Sequence, residues 1–232
     1  MLLQVGMRNS VRTSELLQYR AEYSVPPRTE RMIKAIEERD FQTFAELSMK
    51  DSNQFHAVCQ DTFPPCVYMN QTSHSVSSLV HQLNEHFGEM VACYTYDAGP
   101  NACIFLLEKV ALMYCTSCFN CAVQYVGLVA ALLHHFYSDT PSTGQFLHGE
   151  KLELEPRPEL LDKVTDQWNS PDRPAGLYQR LMCFLQLSLA RAPGGLKYVL
   201  HTRPGEGPQQ LTDPAAALLD KNGMPKNVQI KN

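Results

Sequence analysis

The chain has 232 residues, 44% of them hydrophobic and 19% charged, with a formal net charge of −4 at pH 7. That composition is globular and allows one sizeable core, or one domain with extensions, and with no concentrated Lys/Arg block it argues against nucleic acid as a partner. No charged segment leads into a cleavable apolar one, so secretion is not expected, and the closing Ile-Lys-Asn matches neither an ER-retention nor a peroxisomal signal.

In chain order, Thr13–Tyr23 reads as a short helix with Ser10 or Thr13 as its cap. Pro26 and Pro27 open the next element, and Arg28–Arg39 carries apolar residues and mixed charges at helical spacing. Asp40 is the expected cap of a helix over Phe41–Cys59, which Pro64 and Pro65 end. Ser73–Phe87 is amphipathic, with Val76, Leu79, Val80 and Leu83 on its apolar face and Gly88 as its stop. Strands are predicted over roughly 90–96 and 102–108, followed by a long helical segment and a late strand at Leu196–Thr202. Helices alternating with a few antiparallel strands imply an α+β domain.

The strand pair carries the clearest functional signal. From Val91 to Ile104 the sequence reads VACYTYDAGPNACI, two β-prone runs joined by a turn that presents one carboxylate, Asp97. Gly99 is free to take a positive φ and Pro100 fixes the next φ, so the turn reads as rigid. By spacing alone this is an ordinary hairpin whose Asp makes a local turn.

The surrounding blocks give it a context. VGMRNSVRTSELLQYRAE (Val5–Glu22), MKDSNQFHAVCQDTFPPCVYMN (Met49–Asn70) and YTYDAGPNA closely resemble diphosphomevalonate decarboxylase, of the GHMP small-molecule kinase superfamily. The likeness runs almost unbroken from Val5 to about Leu107 and resumes at Thr143–Gly149 and Ala192–Lys226. It implies a GHMP-kinase-type C-terminal domain, with helices packed on a small antiparallel sheet. Members are about twice this length, and the resemblance is to their C-terminal half. The N-terminal ATP-binding domain, with its phosphate loop, a substrate-binding Lys and an Arg facing the substrate carboxylate, has no counterpart here. No G-x-x-x-x-G-K-[ST] occurs, and Gly194–Gly195 and Gly205–Gly207 read as turn glycines.

The resemblance implies a reaction and roles. The family uses ATP and Mg2+ to phosphorylate the 3-hydroxyl of mevalonate 5-diphosphate, and loss of that phosphate with decarboxylation gives isopentenyl diphosphate. Asp97 matches the catalytic Asp, which accepts the hydroxyl proton and faces developing positive charge. Ser52 matches a serine that approaches the substrate from this half; the local alternative is a helical Ser bonding back to a carbonyl. Asn53 and His56 are read as holding helix against turn, and His134 and His135 as surface residues. A family Thr that contacts substrate corresponds to Gln4, so that role is not carried over. The family also implies a homodimer and a cytosolic location.

Most of the ATP site being absent, the chain alone is expected to be catalytically silent, since each lost electrostatic donor costs on the order of 10²–10³ in rate. The alternative is a non-catalytic isoform that binds the full-length enzyme or another partner through the apolar face left uncovered. No metal ligands are assigned: Cys115, Cys118 and Cys121 form C-x-x-C-x-x-C without a fourth ligand and read as small apolar residues on a helical arc. Val110–Leu133 holds no charge, yet its Thr116, Ser117, Asn120 and Gln124 argue against a membrane span. In the family a shorter helix occupies this place, matching Tyr125–Phe136. The extra residues near 113–124, and a second stretch near 165–187 containing Trp168, read as insertions into one C-terminal domain spanning 1–232.

Overall fold

Side-chain caps decide where the helices of this chain begin. The computed structural model describes residues 3–107, 110–111, 122–123, 125–140, 143–149 and 191–205. Both expected insertions, most of 113–124 and all of 165–187, lie outside these residues, as do Cys115, Cys118, Cys121 and Trp168. Two compact units are present, Met1–His201 and Thr202–Asn232; of the second, residues 202–205 are described and carry no helix or strand.

Helix α1 spans Leu3–Thr13 and α2 spans Glu15–Tyr19. The expected single helix over Thr13–Tyr23 is therefore two helices, and neither Ser10 nor Thr13 is a cap. Their hydroxyls are used inside α1, on the carbonyls of Gly6 and Asn9. Ser14 takes the capping role, its Oγ accepting the Leu17 N–H at 3.1 Å. A π-helical turn, Arg20–Ser24, leads into α3 (Val25–Glu37), where Pro26 and Pro27 occupy the first turn and need no N–H partner.

Asp40 caps α4 (Phe41–Asp61) by accepting the Thr43 N–H at 3.1 Å. Helix α5 spans Gln71–Phe87 and starts two residues before the expected Ser73, because Asn70 and Ser73 form a reciprocal capping box. Gly88 ends α5 in the left-handed conformation at φ 72°.

Strands β1 (Ala92–Thr95) and β2 (Cys103–Leu106) pair antiparallel, from Ala92 opposite Leu106 to Thr95 opposite Cys103. A second antiparallel pair joins β3 (Val110–Ala111) to β4 (Ala122–Val123), so the apolar run from Val110 is not one continuous helix. Helix α6 begins at Tyr125 and ends at Tyr137. No described helix is long and apolar enough to cross a membrane. After α7 (Thr143–Phe146), β5 (Leu147–Gly149) pairs with β6 (Val199–His201) in parallel, a third pair that the sequence pattern did not distinguish from the antiparallel ones. At Gly149 (φ 100°) a Cβ would fall 2.1 Å from the His201 carbonyl oxygen, so only glycine allows this pairing.

The core lies where α4, α5 and α6 meet β1. Ala45, Met49, Val76, Leu79, Val80, Leu83, Val91, Cys93, Leu132, Phe136 and Phe146 are all buried in one cluster. The described side chains of α6 are buried from Leu128 to Tyr137, because a helix apolar on every face has no side left for water. This corrects the surface placement expected of His134 and His135. They are 8% and 7% exposed, and their rings pack against Phe146 and Phe136.

Candidate functional site

Ala45, Met49, Ser52 and His56 follow each other at spacings of four, three and four residues, which places them on one face of α4. The first two pack into the core beside β1. The second two meet the chain just past the end of that strand, where packing gives way to hydrogen bonding.

The contact point is Tyr96. Its residue is 2% exposed and lies one position beyond the β1–β2 ladder, so its backbone polar groups need partners other than a strand. Helix α4 supplies both. The Tyr96 N–H donates to Ser52 Oγ at 3.0 Å, and His56 Nε2 lies 3.3 Å from the Tyr96 carbonyl oxygen. Helix α5 holds the side chain: the Tyr96 hydroxyl donates to the Ser73 carbonyl at 2.7 Å and accepts from Ser77 Oγ at 3.4 Å. Ser73 Oγ also donates to the Pro100 carbonyl at 3.0 Å, fixing the far side of the same connection.

Asp97, the next residue, is exposed. The connection from Tyr96 to Ala102 thus presents one carboxylate to solvent while its neighbours are tied down. Gly99 does not adopt a positive φ, so the turn does not depend on the left-handed freedom expected of that glycine. Nothing lies within 4 Å of where its Cβ would be, which leaves the approach to Asp97 open on that side.

The electrostatics follow from this burial. Desolvation pushes the His56 ring below the ordinary imidazole value; the Tyr96 carbonyl and the Asp97 carboxylate pull it back up, and His74 adds to the lowering. Burial pushes the Tyr96 hydroxyl up to about 12, keeping it a donor. Cys103, at the start of β2, is raised first by partial burial and then by the nearby Asp97 charge.

Ser52 does not make the local bond to a carbonyl of its own helix. It is 3% exposed, and its oxygen goes to Tyr96, not to a carbonyl of its own helix; Ser48, one turn earlier, makes that back-bond to Phe44. Asn53 and His56 do hold helix against strand and turn, Asn53 by accepting from the Tyr94 hydroxyl at 3.1 Å. Ser73, Ser77 and Tyr96 were missed as site residues. The 45/49/52/56 spacing, which turns polar where β1 ends, signals only that Ser52 and His56 share a face of α4, not their partners on the other elements.

Among the described residues, no group of three His, Cys, Asp or Glu side chains is placed to hold a metal ion. Mg2+ wants several oxygen ligands in near-octahedral array, and Asp97 is the single carboxylate of its connection. The described residues do not by themselves fit Mg2+.

Comparison with known proteins places this arrangement. Residues 4–211 match the family model described as mevalonate 5-diphosphate decarboxylase C-terminal domain. The human diphosphomevalonate decarboxylase is 43% identical over 223 residues, covering 96% of this chain and 46% of that protein. A crystal structure of mevalonate 5-diphosphate decarboxylase superposes with a TM-score of 0.60 at 32% identity, over 94% of this chain and 46% of that one. The mevalonate diphosphate decarboxylase of Trypanosoma brucei gives 0.58 at 28% identity, over 84% of this chain and 42% of that one. The chain spans about half the length of the relatives it matches.

Proposed function

Because this chain belongs to the diphosphomevalonate decarboxylase family, we propose that it supplies the C-terminal half of an ATP-dependent decarboxylase. The substrate is mevalonate 5-diphosphate and the product isopentenyl diphosphate, the five-carbon unit of isoprenoid and sterol synthesis, made in the cytosol. One observation carries the reading: Asp97 is exposed at the end of β1, in a connection whose flanking residues are anchored to α4 and α5.

Asp97 acts as the general base. Its carboxylate accepts the proton of the substrate 3-hydroxyl as that oxygen takes the phosphoryl group of ATP. When phosphate and carbon dioxide then leave, the electron pair of the broken C–C bond forms the product double bond. The same carboxylate faces the positive charge that develops at the carbon losing phosphate. ATP and Mg2+ are to be held by the N-terminal half. The domain assignment follows: 1–232 acts as one C-terminal domain, completed by an ATP-binding half, in a homodimer.

The test joins the N-terminal half of the human relative to this chain and measures ATP-dependent carbon dioxide release from mevalonate 5-diphosphate. Turnover by the joined protein, with none from the 232-residue chain alone, supports the reading. A specific observation also supports a second reading, a partner-binding isoform: Met7, Val11, Tyr19, Tyr23, Ile33 and Ile36 on the N-terminal helices are each more than half exposed. Co-purification of the chain with a full-length relative, without gain of turnover, favours that reading.

A further inference from the structure

We propose that Ser52, His56 and Ser73 are positioning residues for the Asp97 carboxylate, acting as a clamp on the backbone that carries it. The proposal rests on the reading of Asp97 as the base. Ser52 and His56 grip the two polar groups of one residue, Tyr96, from the same face of α4. The carbonyl that His56 holds belongs to the peptide joining Tyr96 to Asp97. Rotation of that peptide would swing the Asp97 Cβ, so a bond to its oxygen fixes the direction in which the carboxylate points. Ser73 works from the other side, with its hydroxyl on Pro100 and its carbonyl on the Tyr96 hydroxyl.

Three features separate this clamp from ordinary packing. Tyr96 lies outside the β1–β2 ladder, so sheet pairing does not account for its orientation. Ala45 and Met49 of α4 already share the core cluster with Ala92 and Cys93 of β1, which leaves Ser52 and His56 available for backbone contact. Tyr96 and Pro100, on either side of Asp97–Gly99, are both tied to Ser73 of α5. Positioning at this level matters for rate, since a displacement of about 1 Å in a reacting group costs on the order of 10² in turnover.

His56 also reports on the carboxylate it positions. The groups facing it are Asp97, His74, the Tyr68 and Tyr96 rings and the Tyr96 carbonyl. Among these Asp97 is the negative charge that raises its titration, so removing that charge lowers the His56 midpoint.

The experiment uses this chain joined to the N-terminal half of the human relative, with Ser52→Ala, His56→Ala, His56→Gln and Asp97→Asn variants. Steady-state kinetics are read beside amide hydrogen exchange at Tyr96. Ser52→Ala and His56→Ala are expected to lower kcat by roughly 10–100-fold with KM within about twofold, and His56→Gln, which keeps an N–H donor, to recover most of it. Exchange at the Tyr96 amide is expected to rise at least about tenfold in Ser52→Ala as its acceptor is lost. Unchanged kcat alongside a freed Tyr96 amide overturns the positioning role, and unchanged Tyr96 exchange overturns the clamp itself. If Asp97→Asn leaves kcat intact, or the joined protein does not turn over, the base assignment fails. The clamp is then judged on two signals alone: Tyr96 exchange in Ser52→Ala, and a lowered His56 midpoint in Asp97→Asn.

Discussion

Asn84→Ala is the most demanding test of how β1 is held. Asn84 is 7% exposed on α5, and its side chain does the work of a neighbouring strand at the start of β1. Its Oδ1 accepts the Val91 N–H at 2.9 Å and the Ala92 N–H at 3.0 Å, and its Nδ2 donates to the Ala92 carbonyl at 2.8 Å. Truncation to Ala strands these three buried backbone groups, each costing about 1–3 kcal/mol when left without a partner, for a total of roughly 3–9 kcal/mol. At about 2–4 °C per kcal/mol in a chain of this size, even the lower end lowers the midpoint of thermal unfolding by about 6–12 °C. Circular dichroism melts of the chain measure it, with Asn53→Ala as the comparison. Asn53 is exposed and loses one bond, to the Tyr94 hydroxyl, so its cost stays below about 1 kcal/mol. If the two variants melt together, the side-chain ladder does not hold β1, and the account of how the Asp97 connection is anchored loses its base.

Asp51 accepts from Arg20 at 2.8 Å, pairs with Arg28 at 2.6 Å, and so ties the π-helical turn and α3 to α4. Burial pushes its carboxyl up, but the hydrogen bonds from Arg20 and Arg28 more than reverse this and leave it below its ordinary value of 3.8. Its contribution is present above that ordinary value and lost as pH falls through the lower folded one. Asp51→Asn is therefore expected to cost about 1–2 kcal/mol at pH 7, after allowing for solvent screening, and close to nothing once pH has fallen below the lowered folded value. His56 and His86 titrate with the opposite chemistry but a similar outcome: burial holds both below 6.5, so the unfolded chain binds protons first and stability declines as pH falls below that value. Urea midpoints between pH 7.5 and 5 follow it, and a flat profile contradicts it. Leu132→Ala empties a fully buried site in α6 and is expected to cost about 2–5 kcal/mol in the same unfolding assay. Among the described cysteines, peptide mapping after brief alkylation is expected to find Cys103 labelled first, since it is exposed, whereas burial raises Cys59 to about 11 and Cys93 to about 12.

Local chemistry was legible in the sequence; partner choice was not. Asp40 and Gly88 could be read as helix ends because capping depends on residues a few positions away, and both act as expected. Ser10, Thr13 and Ser14 show the limit: three hydroxyl residues competed for one cap, and the winner is the one whose neighbour, Asp61, comes from the end of α4 and accepts its hydroxyl at 2.7 Å. His134 and His135 read as polar and hence outward, but the apolar residues around them bury the whole of their turn. At the site, the YTYDAGPNA block marked Asp97 and MKDSNQFH marked Ser52. That Ser52 meets Tyr96 is a long-range fact, separated by 44 residues, which no local pattern encodes. The parallel β5–β6 pair joins segments on either side of residues 150–190 and was equally hidden.

The central claim is that Asp97, presented by this half, serves as the base once an ATP-binding half is supplied. The most direct measurement is carbon dioxide release from mevalonate 5-diphosphate and ATP by the joined protein, with and without Asp97→Asn. The account predicts turnover that falls by about 10²–10⁴-fold in Asp97→Asn, with no release from the 232-residue chain alone. Release by the isolated chain, or undiminished release from the Asp97→Asn protein, would contradict it.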